Sequence, residues 1–370
     1  MGGLQQKLEG HNRHAEESPW IICAKNFATF LRNVKEGETA TVKIAILDDG
    51  IDVSIDVFRD KIATGRSFYP GPNRTGSMNA YYVPTGKHGT RAATLISEIC
   101  PNPQLYVARL DEKLDGDGRR QIAAESAAKV RGFLSQAALS EVNSEHAILW
   151  AVDCKVDIIS MSWSIEAQTQ ESEDLKKLQA AISVAENAEI LMFCSASDRG
   201  SHSEDRCYPG DLEKCITIGG ASSTGESLSW VHLDNIDFLF PGEKIPFMNN
   251  DGTLSYESGN SVATAAASGL AGLLLFCSRL LDEEDEAYFK VRDNMKRAFK
   301  TMSIGTDRQF PRVDHFFEHH FKSLLLADEP EQTKSGNLSS VVILKEEWND
   351  RSGNALSALI KLIKWKSSYS

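Results

Sequence analysis

The chain has 370 residues, 41% of them hydrophobic and 25% charged, with a formal net charge of −12. That length holds one large α/β domain of roughly 250–300 residues plus extensions. No basic stripe stands ready to neutralise phosphates, so nucleic acid is excluded as an expected partner.

Residues 1–19 are polar and carry no apolar signal core, and no stretch approaches about 18 uncharged apolar residues. A cytoplasmic protein with no membrane association is therefore expected. The seven cysteines are scattered and odd in number, which suits reduced thiols. Cys207 and Cys215 are the pair close enough in sequence to invite a disulfide reading.

Residues 1–38 read as a polar lead followed by a helix, with Trp20, Ile21, Ala24, Phe27, Phe30 and Leu31 at helical spacing. Residues 41–47 are β-branched and apolar and stop at Asp48, the pattern of a buried parallel strand. Residues 69–86 are loop, rich in proline, glycine and polar residues. His88 opens a helix over 90–99. Strands are expected at 105–108, 156–163, 190–196 and 215–220, and helices at 121–129, 175–187 and 262–277. The alternation predicts a mostly parallel sheet with helices on both faces.

Residues 130–146 interrupt a helical pattern whose period they do not share. They read as an exposed surface insertion or as a retained intron. The cluster from His315 to His320 is a poor metal site, since no cysteine is near and adjacent histidines point to different helix faces. Residues 328–340 are linker-like. Residues 354–365 form a basic amphipathic helix suited to packing or to a partner.

Three strings carry the chemistry: Ile46-Leu47-Asp48-Asp49-Gly50, Lys87-His88-Gly89-Thr90 and Ser258-Gly259-Asn260-Ser261-Val262-Ala263. The order Asp, His, Ser is one of three chain orders that reach the same catalytic geometry. A carboxylate at the carboxyl end of a parallel strand sits at the ligand crevice, where it can accept a histidine Nδ1 proton. Asp48 fits that place, and Asp49 and Asp52 are neighbouring alternatives. His88 supplies a proton shuttle near neutrality. Ser261 at a helix N-terminus gains backbone N–H groups and the helix dipole. Ser258 precedes the glycine and Ser268 lies about two turns inside the helix, so both are set aside. No Gly-x-Ser-x-Gly elbow surrounds Ser261, which disfavours an α/β-hydrolase.

Over residues 40–280 these strings resemble the subtilisin-like serine proteases, peptidase family S8, and the intracellular fungal members in particular. The resemblance implies an α/β, subtilisin-like three-layer fold, with a mostly parallel central sheet and helices on both faces. It divides the chain into a lead and helix at 1–38, a peptidase domain at 39–305 holding the 130–146 insertion, and an extension at 306–370. It implies a serine endopeptidase acting on polypeptides through an acyl-enzyme, with Asp48, His88 and Ser261 as triad. No cofactor is expected. Asp115 and Asp117 are candidates for structural calcium, without supporting calcium-loop spacing.

The resemblance also locates the substrate walls. Ser162, Trp163 and Ser164 stand on one side and Gly116 and Gly118 on the other, so that a peptide pairs with exposed edges. Ser164 replaces the usual glycine and narrows the primary pocket, and Trp163 gives it an apolar lining. Asn260 replaces the usual threonine and Ala265 the usual proline, and neither change is expected to abolish activity. The largest departure is Asp198, preceded by Ser197, where the family carries its oxyanion-hole asparagine. An ionised carboxylate repels an oxyanion, and loss of that donor costs on the order of 10²–10³ in turnover, a figure from subtilisin itself. A protonated Asp198 could still donate, or the Ser261 backbone N–H could serve alone. An aspartate also occupies this place in a working animal proprotein convertase of the family. The alternative is a pseudoprotease used as a binding or signalling module of a larger multidomain protein.

Overall fold

The computed structural model describes residues 18–34, 40–68, 80–110, 112–114, 120–122, 147–167, 173–197, 206–281, 283–303 and 309–321, with Ser357 and Ile360. The first helix, α1 (Pro19–Val34), leads into β1 (Val42–Asp48) and β2 (Ile62–Ser67). Then come α2 (His88–Ile99), β3 (Pro103–Arg109) and the short pair β4 (Glu112–Leu114) and β5 (Arg120–Ile122). The middle of the chain supplies α3 (Ala147–Asp153), β6 (Ile158–Met161), β7 (Ile165–Ala167), α4 (Glu173–Asn187), β8 (Leu191–Ser195), β9 (Arg206–Tyr208) and β10 (Ile216–Ala221). Beyond it lie β11 (Phe238–Pro241), the hairpin β12 (Ile245–Met248) and β13 (Leu254–Glu257), and helices α5 (Asn260–Arg279), α6 (Glu283–Lys290) and α7 (Arg292–Met302). A π-helical segment, Asp314–Phe321, follows.

Seven strands form one sheet in the order β11-β10-β8-β6-β1-β3-β2, and every pairing in it is parallel. Strand β1 is apolar on both faces because both are covered. Val42, Ile44 and Ile46 face one cluster, with α1, α2 and α5, while Ala45 and Leu47 face the other, with α3 and α4. Chain order reverses at β1, which has β3 on one side and β6 on the other. In an open α/β sheet such a reversal leaves a crevice at the carboxyl ends of the strands, and Asp48 ends β1 there.

Helix α5 runs through the core, buried from Ala263 to Ser278. Its length and composition would suit a membrane span, but 89% of its most apolar window is covered by the protein. Two glycines bring neighbours close. A Cβ on Gly269 would lie 2.9 Å from Ile99 Cβ in α2, and one on Gly272 would lie 2.9 Å from Cys100 Sγ and 3.1 Å from Ile44 Cδ1. Ser268 Oγ donates to Ser160 Oγ at 3.0 Å, tying the helix to β6. At its far end Arg279 bridges Asp157 and Glu286, at 2.6 and 2.9 Å, and reaches the Thr41 carbonyl.

The expected strands and helices are present where the chain is described, with one difference. Residues 120–122, expected at a helix start, form β5, paired antiparallel with β4. Expected helix 121–129 otherwise lies outside the described residues, as do 1–17, 69–79, 130–146, 328–340 and most of 354–365. Cys207 and Cys215 are not bridged. None of the seven cysteines forms a disulfide, and the Cys215 thiol hydrogen-bonds with Cys194. Burial pushes the Cys100 thiol up to about 12, so it behaves as a small hydrophobe.

Segments on either side of the sheet region close one flank together. Trp20 Nε1 donates to the Pro311 carbonyl at 2.7 Å, and the Phe27 ring stacks on Phe317 with centroids 4.2 Å apart. Trp20 also meets Phe240 of β11 edge-on at 5.6 Å. Ile360, 1% exposed, belongs to the same cluster.

Because α5 has no room at its glycines, Gly269→Val and Gly272→Val should each lower stability by about 1–3 kcal/mol through overpacking. Thermal unfolding of these variants beside the exposed Val184→Ala, expected within about 0.5 kcal/mol of the parent, measures it.

Candidate active site

Asp48 is the last residue of β1 and its side chain is 3% exposed. Its backbone is held from both sides: its carbonyl accepts the Leu110 N–H at 2.7 Å, and the preceding Leu47 carbonyl accepts the Trp163 indole N–H at 2.7 Å. Such anchoring fixes the direction of the Asp48 side chain before any partner binds. His88, the first residue of α2, places Nδ1 2.9 Å from Asp48 Oδ1 and 3.0 Å from Oδ2. An ionised carboxylate can only accept, so the shared proton sits on Nδ1 and Nε2 is the acceptor of the neutral ring. The His88 side chain remains 45% exposed.

The two alternative carboxylates are placed differently. Asp52 is turned toward solvent, where Ser54 hydrogen-bonds its Oδ1 and holds its pKa below the usual carboxylate range. Asp49 is fully buried. Its Oδ2 accepts the Gly86 N–H at 2.7 Å and its Oδ1 the Gly89 N–H at 2.8 Å. Burial, and next the charge of Asp48, push the Asp49 carboxyl up to about 6, against the pull of the two amides. Gly50 follows with φ +104°, and a Cβ there would stand 2.7 Å from the Tyr81 carbonyl oxygen, so the turn needs glycine.

Ser261 lies in the first turn of α5, half-buried, behind Gly259. Helix α5 packs against α2, which begins at His88. A side chain on Gly259 would bring a Cβ to 3.2 Å from Ser261 Oγ. Ser258 instead accepts the Lys244 N–H at 2.8 Å, and Ser268 is committed to the core. Asn260 has a role that the sequence motif alone did not reveal. Its Oδ1 accepts the Gly220 N–H at 2.7 Å, and its Nδ2 donates to the Ser197 carbonyl at 2.9 Å and the Ala196 carbonyl at 3.3 Å. One buried carboxamide thus joins the start of α5 to β10 and to the end of β8. The available signal was its departure from threonine: the longer amide reaches two strands, and its donor and acceptor are both used.

Of the substrate-wall residues, Ser162 is buried and its hydroxyl has no partner among the described residues, while Ser164 is half-buried. Trp163 is placed otherwise than expected. It is 7% exposed and packed in the cluster with α3 and α4, and its indole serves the end of β1 rather than lining a pocket. Asp198, Gly116 and Gly118 lie outside the described residues. A cavity of about 560 Å³ opens beside the pair, between the Asp52–Val57 turn, α2 and the β12–β13 hairpin. It is lined by Lys87 and Thr90 but not by His88 or Ser261. Among the described residues no three metal-ligating side chains cluster.

Comparison with known proteins bears on the fold and the family of the chain. The "Intracellular serine protease" of Paenibacillus polymyxa is 26% identical over 243 residues, covering 63% of this chain and 66% of that protein. The "Subtilisin-like protease het-Q2" of Podospora anserina is 28% identical over 212 residues, covering 53% of this chain and 52% of that one. The chain therefore spans between about half and two thirds of the length of these relatives. Among solved structures, the epidermin leader peptide processing serine protease of Staphylococcus aureus superposes with a TM-score of 0.60 at 16% identity, covering 85% of this chain and 82% of that one. The nisin leader peptidase of Lactococcus lactis gives 0.58 at 15% identity, covering 81% and 94%. The three-layer fold of those proteases is thus the fold of this chain. The model of the subtilase family, Peptidase S8, matches residues 39–317, and the chain belongs to that family.

Proposed function

We propose that the protein is an intracellular serine endopeptidase that cleaves polypeptides through an acyl-enzyme. The observation that carries this reading is the two-point contact of His88 Nδ1 with the buried Asp48 carboxylate, at the crevice of a subtilase sheet. Ser261 stands on the helix packed against that of His88. The intracellular setting rests on the relative titled "Intracellular serine protease".

In this reading Asp48 holds the His88 tautomer and offsets the charge of the imidazolium as it forms. His88 Nε2 takes the Ser261 Oγ proton as the oxygen attacks the peptide carbonyl, and returns it to the departing amine. Water then repeats the sequence on the acyl-enzyme, releasing the acid and regenerating Ser261. The oxyanion is met by the Ser261 backbone N–H at the start of α5, where the dipole favours negative charge. Asp198 occupies the second donor position in sequence. As a protonated acid it donates an O–H, and as a carboxylate it opposes the oxyanion. Activity should therefore rise when Asp198 becomes asparagine, by up to about 10²–10³ if the residue is ionised. The substrate strand adds along the backbone after β6, with Ser162 and Ser164 nearest its path.

Labelling with a fluorophosphonate probe from pH 5 to 9 tests the reading. The parent should label, Ser261→Ala should not, and Asp198→Asn should label faster. If neither the parent nor Asp198→Asn labels at any pH, the peptidase reading fails and a binding module on a protease fold replaces it. With a peptide substrate, His88→Ala should lower kcat by at least about 10⁴-fold, because the Ser261 hydroxyl then loses its general base.

A further inference from the structure

Two carboxylates stand in succession at the end of β1, and the proposed mechanism uses one. The second is buried as completely as the first and, unlike Asp52, is not turned to solvent. Burying a carboxylate is costly unless its oxygens are satisfied. Here each oxygen takes one backbone N–H, and the two donors are Gly86 and Gly89. These residues bracket Lys87-His88, so both bonds end on the backbone that carries the imidazole. The fit is close: a Cβ on Gly89 would lie 2.5 Å from the Gly50 carbonyl oxygen and 2.9 Å from both Asp48 Cβ and Asp49 Oδ1. The Thr85 N–H donates to the Asp49 carbonyl at 3.3 Å, adding a third tie to the same approach segment.

We propose that Asp49 is a positioning residue that seats His88, gripping the backbone on either side of it so that Nδ1 stays within reach of Asp48. The inference rests on the reading of His88 as the general base. A side chain of one residue and the backbone clamp of its neighbour then act on one imidazole from a single strand end. The division is chemically sensible. Asp48 must offset the charge that forms on the ring during turnover, whereas amides at 2.7 and 2.8 Å ask only for a steady acceptor. Misplacement of a catalytic group by about 1 Å can cost about 10²-fold, so a clamp at the root of α2 has leverage.

The charged groups around Asp49 are few. Asp48 adjoins it on β1 and raises its proton affinity, and His88 on α2 lowers it. Arg109 of β3 pairs in register with Asp48, and its guanidinium serves the Ala80 carbonyl and Thr85 Oγ1. Lys87 reaches instead to Asn249 Oδ1 at 3.1 Å. Because the folded carboxyl titrates at about 6, above the value of an unfolded chain, its contribution to stability is complete below about pH 4. It is lost as pH rises through about 6. The isosteric Asp49→Asn has no such dependence. The parent's melting temperature relative to that variant should therefore fall between pH 4 and pH 7.

The deciding experiment combines kinetics with proton NMR. In Asp49→Asn one oxygen is kept and an amide donor confronts a backbone donor. We expect kcat to fall by about 10–100-fold, with KM changed less than about threefold. In a Ser261→Ala background, the downfield Nδ1–H resonance of His88 should shift or broaden on adding Asp49→Asn. A second arm needs no change at Asp49: in Ser261→Ala protein labelled at glycine, the Gly86 and Gly89 amide resonances should titrate together with a midpoint near that of Asp49. A kcat that stays unchanged in folded Asp49→Asn overturns the proposal, as does a loss carried entirely by KM. Amide resonances that fail to titrate together overturn it even if Asp49→Asn does not fold. A parent that neither turns over peptide nor takes the fluorophosphonate defeats the peptidase reading alone, because the resonances still decide whether Asp49 seats His88.

Discussion

The structure turns on the burial of two adjacent carboxylates at the end of one strand. Asp48 and Asp49 are 2% and 0% exposed, and buried acids of like charge demand compensation. The surroundings supply it in a specific way. Asp48 takes the imidazole N–H and the Asp49 backbone N–H. Asp49 takes two glycine amides. That demand explains why the loops around the site are glycine-rich: at Gly50 and Gly89 any side chain would collide with the backbone or carboxylate it must approach. It also explains the Trp163 indole on Leu47, which holds the strand end still from below.

A second constraint delivers the serine. Helix α5 can pass through the core only where α2 and β1 come close, and Gly269 and Gly272 make that approach. Its N-terminus is then fixed by Asn260, whose one carboxamide ties β8 and β10 to the residue before Ser261. The position of Ser261 thus depends on packing far down the helix as well as on hydrogen bonds at its start. The ion cluster of Arg279, Asp157 and Glu286 holds the opposite end.

Much of this was legible in the sequence. The β-branched run ending at Asp48, the helix opened by His88 and the small-residue helix after Ser261 each carry a local signal that their burial bears out. The Asp48–His88 contact, spanning 40 residues, followed from chain order and family resemblance. What escaped was decided by direction rather than identity. A tryptophan beside serines reads equally as pocket lining or core, and only its packing with α3 and α4, with the indole N–H on the Leu47 carbonyl, shows that Trp163 turns inward. Asn260 reads as a substitution until its two strands are seen. Residues 120–122 have helical composition but sit opposite β4, where ladder pairing wins over propensity.

The flank closed by α1 and the segment after Pro311 changes what counts as a physical unit. The family match begins at residue 39 and ends at 317, yet Trp20 and Phe27 cover Phe240 and Phe317 from outside that span. Large aromatic side chains bury about 150–250 Å² each. A fragment cut at residue 39 would thus uncover a contiguous aromatic face and offer it to a second copy of itself. The smallest piece that keeps this face covered therefore begins before Trp20 and runs past Phe317, and its borders are set by interlocking rings rather than by family motifs.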